Sequence, residues 1–358
     1  MTHAINIADF EALARESMSQ MAYDYYAGGA LDEVTLRRNE SAFDDIRLRY
    51  RVLRDVATRD LTTTVLGAEI AMPILVAPTA FHQLAHAEGE VATARAAGRS
   101  GTVMILSTLS NCPIEDVVAA TTGPTWFQLY VYKDRGVTRD LIARAEQAGC
   151  RALVLTVDAP FLGSRERDIR NRFELPAHLA ASNLTGNPEL LPVEHNASQL
   201  ASYVGQMFDA SLTWEVVDWL AGVTKVPILV KGVVHPEDAR LAVEHGASAV
   251  IVSNHGGRQL DTAPATIEVL PEIVAAVDGA IEVLLDGGIR RGSDVIKALA
   301  LGAKAVAVGR PVLWGLAADG QTGVEKVLSI LRAETDVALG LCGFSRLEDL
   351  SSDVVMVG

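Results

Sequence analysis

Eight short runs along the chain are apolar continuously rather than at every second position. They are MPILVAPTA (72–80), TVMILST (102–108), TWFQLYV (125–131), ALVLTVD (152–158), PILVKGV (227–233), AVIVSNH (249–255), EVLLDGG (282–288) and AVAVGRP (305–311). A strand that is apolar on both sides is covered on both sides, the pattern of parallel strands in α/β proteins. Seven of the runs lead into helix-like segments. Among these, DLIARAEQAGC, DARLAVEHGAS and DVIKALALGAK each place glycine where a helix should stop and the next strand begin. Eight βα units favour a closed (β/α)8 TIM barrel over an open doubly wound sheet.

Two stretches fall outside the repeat. Residues 1–65, with DFEALARESMSQMAYDYYAGG as a helix, read as an N-terminal helical extension of a barrel at 66–340, and 1–358 as a single domain. After the fourth run, residues 159–211 interrupt the rhythm before SLTWEVVDWLAGVTK resumes it. This long fourth βα connection, polar and Pro/Asn-rich around SNLTGNPELLPVEHNASQ, reads as a mobile lid beside the site.

A net charge of −14 leaves no basic footprint for nucleic acid or an anionic membrane surface, so an anionic substrate would need local arginines. Cys112, Cys150 and Cys342 are far apart, with no CxxC or Cys/His ligand spacing, and imply neither a disulfide framework nor a metal site. Without a signal-peptide pattern, an apolar run of about 18 residues or a terminal targeting motif, the expectation is a cytoplasmic protein.

In such barrels the active site lies at the C-terminal ends of the strands. The residues there are Pro78, Thr79, Ala80, Ser107, Gln128, Tyr130, Thr156, Asp158, Lys231, Ser253, His255, Asp286, Gly287, Gly288, Gly309 and Arg310. Core packing does not ask for Lys231 after PILV or His255 after AVIVSN, because a buried charge without a partner costs several kcal/mol. One strand-end histidine can be merely structural, but lysine, histidine, aspartate and arginine at one rim point to chemistry. DGGIRRG (286–292) and GRP (309–311) end the last two strands, where barrels often build a phosphate site from backbone N–H groups, and Arg290 and Arg310 could grip phosphate oxygens. Either glycine motif alone reads as a tight turn; together they imply a phosphorylated ligand, substrate or cofactor.

The motifs SNHGGRQLD, LTVDAP, PILVKGV, FQLYVYKDR, APTA and DGGIRRGSDVIKALALGAKAVAVGRP, in a match running from DYYAGGA to LCGFSRLEDL, resemble the FMN-dependent L-2-hydroxy acid oxidase and dehydrogenase family. That family includes glycolate oxidase, lactate oxidase, mandelate dehydrogenase and 4-hydroxymandelate oxidase. The resemblance implies FMN as cofactor, with its phosphate at Gly288, Arg290, Gly309 and Arg310. The ring would meet Pro78, Thr79, Ala80, Ser107, Gln128, Thr156 and Ser253, with Asp286 and Gly287 also in the cofactor site. Lys231 would stabilise the anionic reduced ring. Arg165, Arg258 and Tyr25 would hold the substrate carboxylate, Tyr130 its 2-hydroxyl, and His255 would be the general base with Asp158 orienting its ring. Without the resemblance, Tyr25 reads as helix packing, Arg165 in SRERDIRNR as a solvated charge, and only one of Tyr130 and Tyr132 can face inward.

Glycolate oxidases carry tryptophan where this chain has Leu109, so the resemblance also implies room for a larger C2 substituent. Phe161 would wall that space, and with Ala80 in the substrate pocket the expected substrate is aromatic, mandelate or 4-hydroxymandelate. Ala80 follows the oxidases, which makes oxygen the expected acceptor and hydrogen peroxide the product. The alternatives are a dehydrogenase using another acceptor, an FMN barrel with another task, a non-catalytic flavin carrier, and a Schiff-base aldolase at Lys231, which would be colourless. Family members commonly form tetramers or octamers, so a homo-oligomer is expected.

Overall fold

All eight expected strands form, and they close on one another. The computed structural model describes residues 3–184 and 199–357. In chain order its strands are β1 Ile46–Leu48, β2 Thr63–Val65, β3 Ala68–Ile70, β4 Ile74–Val76, β5 Met104–Leu106, β6 Thr125–Leu129, β7 Leu153–Thr156, β8 Ile228–Val233, β9 Ala249–Val252, β10 Glu282–Asp286, β11 Ala305–Val308 and β12 Val355–Val357. Strands β4 to β11 make a closed parallel barrel in sequential order, β11 pairing back onto β4. The expected (β/α)8 architecture is therefore present.

Alternation along each short strand divides the apolar run between two cores. Leu75, Ile105, Trp126, Val154, Leu229 and Ile251 fill the barrel interior, while Ile74, Val76, Met104, Leu106 and Val230 face the surrounding helices. The antiparallel hairpin β2–β3 plugs the N-terminal mouth, since Val65 and Ile70 belong to the interior cluster. This hairpin crosses the 65/66 boundary between extension and barrel. The glycine stops behave as their positions suggest: Gly149 ends the helix Arg135–Ala148 at φ 101°, in the left-handed region that favours glycine.

The N-terminal extension lies over the C-terminal rim. Its helix Gln20–Ala27 brings Tyr25 and Tyr26 into the cleft, and its helix Val34–Ser41 joins Asn39 to Asn254 by reciprocal amide bonds of 2.9 and 2.8 Å. The connection after β7 carries the helix Glu166–Arg170 with Arg165 as its N-cap, and returns through the helix Gln199–Met207 to Phe208, which stacks on Tyr130 with ring centroids 4.5 Å apart. Within the stretch expected to be the lid, 159–211, residues 185–198 lie outside the described residues. Among the described residues no helix is long and apolar enough to cross a membrane, and no group of three or more His, Cys, Asp or Glu side chains could hold a metal ion. The three cysteines are free and buried.

Candidate active site

The strand ends converge on one cleft. Pro78, Thr79, Ala80, Ser107, Leu109, Gln128, Tyr130, Thr156, Lys231, His255, Arg258, Asp286, Gly287, Gly288, Arg290, Gly309 and Arg310 line it, together with Tyr25 from the extension and Arg165 from the long connection.

His255 sits at φ 59° and is followed by Gly256 and Gly257 at 65° and 74°, so three consecutive residues are left-handed. A histidine in that conformation is strained, and the strain is held by contacts: Ser253 Oγ accepts its N–H at 3.1 Å, and its Nδ1 lies 2.7 Å from Asp158 Oδ1. Asp158 reaches the ring because β8 is bulged between Lys231 and Val233, at Gly232, where a Cβ would stand 2.7 Å from that of Asp158. Burial pushes the His255 pKa below its ordinary value, against the pull of Asp158 and with the help of Lys231 and Arg165. The neutral ring then donates Nδ1–H to Asp158 and presents a bare Nε2. Burial opposes the charge on Asp158, yet His255 and Lys231 outweigh it and hold the carboxyl below its usual value.

Lys231 is buried, donates to Ser253 Oγ at 2.9 Å and lies 3.3 Å from Asp286 Oδ2. Despite burial, Asp286 and Asp158 raise its pKa, so it is a fixed positive charge and no amine nucleophile. Arg165 is buried and Arg258 stacks over the Tyr25 ring, its guanidinium carbon 4.9 Å from the centroid. Neither forms an ion pair within 4 Å among the described residues. Burial and the neighbouring Arg258 push the Arg165 pKa down to about 10. Burial, Arg258 and Arg290 push that of Arg310 down to about 9. Several guanidiniums desolvated together in an acidic protein constitute a built anion site. Burial keeps the Tyr25 and Tyr130 phenols protonated and available as donors.

The two arginines expected to grip phosphate line the cleft but have partners of their own. Arg310 donates to the carbonyls of Tyr26, Gly256 and Gly28 at 2.8, 3.0 and 2.9 Å, fastening the extension to the β9 turn. Arg290 pairs with Glu40 at 2.6 Å. What remains for an anion is their charge, the glycine turn at Gly287 and Gly288 (φ 96° and 81°), and the N-terminus of the helix Arg310–Leu341. Phe161 does not wall the cleft. Gln259 Nε2 donates to the carbonyls of Asp158 and Phe161 at 2.9 and 2.8 Å, fixing a turn that leaves Phe161 68% exposed and sends Leu162 inward. Leu200, Val204 and Phe208 also line the cleft without having been anticipated. The amphipathic stretch QLASYVGQM carries the first two. Ser253 is fully buried and acts from below, through Lys231 and His255.

Gln128 Nε2, Thr156 Oγ1, Asp158 Oδ2 and Asp286 Oδ1 are buried without a hydrogen-bond partner. An unsatisfied buried polar group costs about 1–3 kcal/mol, so such a set around one cleft is the imprint of a polar ligand. Gln128 is oriented for this, its Oε1 accepting from Thr108 N–H at 3.2 Å and its amide nitrogen left over.

A barrel with an anion cradle on its last two strands and a His/Asp pair facing two arginines defines a class of enzymes that act on carboxylates beside a phosphorylated cofactor. The sequence matches the family described as FMN-dependent dehydrogenase over residues 14–357, and the chain belongs to it. It is 54% identical over 353 residues to the L-lactate oxidase of Nostoc sp., covering 97% of each chain. It is 53% identical to glycolate oxidase 3 of Arabidopsis thaliana, covering 97% of this chain and 94% of that one. A crystal structure of mandelate oxidase with (S)-4-hydroxymandelic acid superposes with a TM-score of 0.93 at 44% identity, covering 96% of this chain and 97% of the other. FMN is the cofactor, and the residues fit it: the orphaned donors and acceptors suit a ring rich in N–H and C=O groups, and the glycine cradle suits a phosphate.

Proposed function

We propose that this chain oxidises an L-2-hydroxy acid with an apolar substituent on C2 to the 2-oxo acid, and passes the two electrons to oxygen to give hydrogen peroxide. The observation that carries the reading is the pairing of buried Arg165 and half-buried Arg258 with a neutral His255 braced by Asp158. Arg165, Arg258 and Tyr25 bind the carboxylate, which supplies the negative charge the arginines lack. Tyr130 donates its phenolic hydrogen to the substrate's 2-oxygen. His255 Nε2 takes up the proton that leaves the C2–OH unit, and Asp158 stabilises the resulting imidazolium. Lys231 keeps a positive charge beside the ring-binding residues, and FMN, when bound, supplies the two-electron acceptor. Ala80 and the oxidase activity in the names of the relatives support oxygen as the final acceptor.

On the C2 side, Leu109, Leu162, Leu200 and Val204 line an apolar space. The exposure of Phe161 removes one of the two supports for an aryl substituent, so a short aliphatic acid, L-lactate, leads. Mandelate is the second reading, favoured by the Tyr130/Phe208 stack, which offers a flat aromatic surface at the same cleft. The test is an anaerobic titration of the yellow protein with L-lactate, D-lactate, L-mandelate, L-4-hydroxymandelate and glycolate, followed by oxygen. Fastest bleaching by L-lactate with return of colour in air supports the reading, and fastest bleaching by the aryl acids selects the second. Failure of every acid to bleach overturns both, and colour that does not return in air overturns oxygen as the acceptor.

A further inference from the structure

Behind Pro78, Thr79 and Ala80 lies a buried polar cluster that the chemistry above does not use. His82 is buried and begins the tight turn His82–Leu84, just after Phe81, whose φ of 60° places a bulky residue in the left-handed region. The turn is held from several sides. Tyr26 donates its hydroxyl to the Phe81 carbonyl, Phe81 N–H donates to the Leu109 carbonyl at 3.2 Å, and the fully buried Glu90 accepts the N–H groups of His82 and Asn111, each at 3.0 Å, on one oxygen.

The hydrogens in this cluster can be placed by elimination. His82 Nδ1 is 3.0 Å from Thr93 Oγ1, and Nε2 is 2.5 Å from Thr79 Oγ1. The Thr93 hydroxyl donates to the Gly89 carbonyl at 3.4 Å, a group that can only accept, so Thr93 must receive its other bond from Nδ1–H. A buried, neutral imidazole carries one ring N–H, so Nε2 is bare and takes the hydrogen of Thr79. The Thr79 methyl is fixed as well, 3.3 Å from where a Cβ on Gly309 would stand.

We infer that His82 is a positioning residue of the flavin site, which through Nε2 commits the Thr79 hydroxyl to accept, and so orients it for an N–H of the FMN ring. This rests on the placement of Thr79 at the flavin. A hydroxyl free to rotate would offer its hydrogen to the ring's carbonyl oxygens and bare nitrogens equally well, and would select nothing.

The test follows FMN release from the diluted holoenzyme by recovery of flavin fluorescence, alongside the flavin absorbance spectrum and the midpoint potential. His82→Leu should release FMN about tenfold faster with an altered spectrum, the loss of roughly one oriented hydrogen bond. His82→Gln, whose amide oxygen can accept from Thr79, should stay close to the parent. Thr93→Val, which lets the ring move its hydrogen to Nε2, should change in the direction of His82→Leu although Thr93 is outside the cleft; it decides the matter if His82→Leu does not fold. Variants that melt earlier but keep the parent release rate, spectrum and potential well below their transitions overturn the inference in favour of a purely structural histidine. A Thr79→Val variant with unchanged release overturns the placement of Thr79 on which it rests. A Thr79→Val effect without a His82→Leu effect overturns the role of His82 alone.

Discussion

Replacing Asp158 with asparagine keeps the shape of the side chain and removes its charge. The structure sets the size of the effect: the carboxylate meets the His255 ring at 2.7 Å, both groups are largely withdrawn from water, and Lys231 and Arg165 bear on the ring from other sides. Exchanging a charge-assisted hydrogen bond for a neutral one, when the ring must become an imidazolium, costs about 1–2 kcal/mol. At ~1.4 kcal/mol per tenfold, flavin reduction should slow roughly 5- to 30-fold. The pH dependence carries a sign as well. Burial already holds the His255 pKa below its ordinary value and Asp158 alone opposes the cationic neighbours, so in Asp158→Asn it falls further. Because the neutral ring is the reactive form, the acid limb of the reduction rate moves to lower pH. The assay is anaerobic stopped-flow bleaching of the flavin across pH, on protein shown by its absorbance to retain FMN. A rate within about threefold of the parent, under ~0.7 kcal/mol, with an unmoved acid limb would refute the base assignment.

Arg165→Met should raise the substrate dissociation constant about 10- to 150-fold, the worth of a charge-assisted bond, while thermal melting stays level or rises, because a desolvated cation repelled by Arg258 has been removed; a titration and a melting curve read the two. Gly288→Ala would place a Cβ 1.9 Å from the Asn39 carbonyl oxygen at a φ of 81°, and a melting curve should show about 2–4 kcal/mol of destabilisation. Burial lowers the His82 pKa, so the unfolded chain binds the extra proton first; stability should fall as pH drops below about 6.5, more steeply in the parent than in His82→Gln, by melting temperature across pH. Leu109→Trp should narrow the C2 space and shift the ratio of reduction rates toward glycolate by at least about tenfold, as loss of one or two methylene-sized contacts would.

The barrel was legible because buried parallel strands leave runs with no alternation, and because three helices stop at glycines, Gly149, Gly246 and Gly302, whose positive φ the structure then required. The rim was legible because lysine, histidine and aspartate have no reason to end such strands. What misled was direction. Phe161 lies in DAPFLG beside the site, but the side chain of Gln259, distant in sequence, turns that residue outward. Arg310 shows the converse: its position was read correctly, yet three backbone carbonyls claim its guanidinium, and no local pattern announces where a carbonyl will point. The left-handed backbone of His255 was equally silent, since only Gly256 and Gly257 advertise a turn there. Leu200 and Val204 belong to a helix whose amphipathic period was visible while the surface it would cover was not.

The Arg310 clamp has a consequence for how the protein is made. It ties the carbonyls of Tyr26 and Gly28, in the extension, to that of Gly256, and does so from the first helical turn after the last barrel strand. The cleft therefore cannot be gathered until segments separated by 282 residues of sequence have both been made. Yellow colour in a preparation should then mark chains in which the extension and the last barrel strand have met.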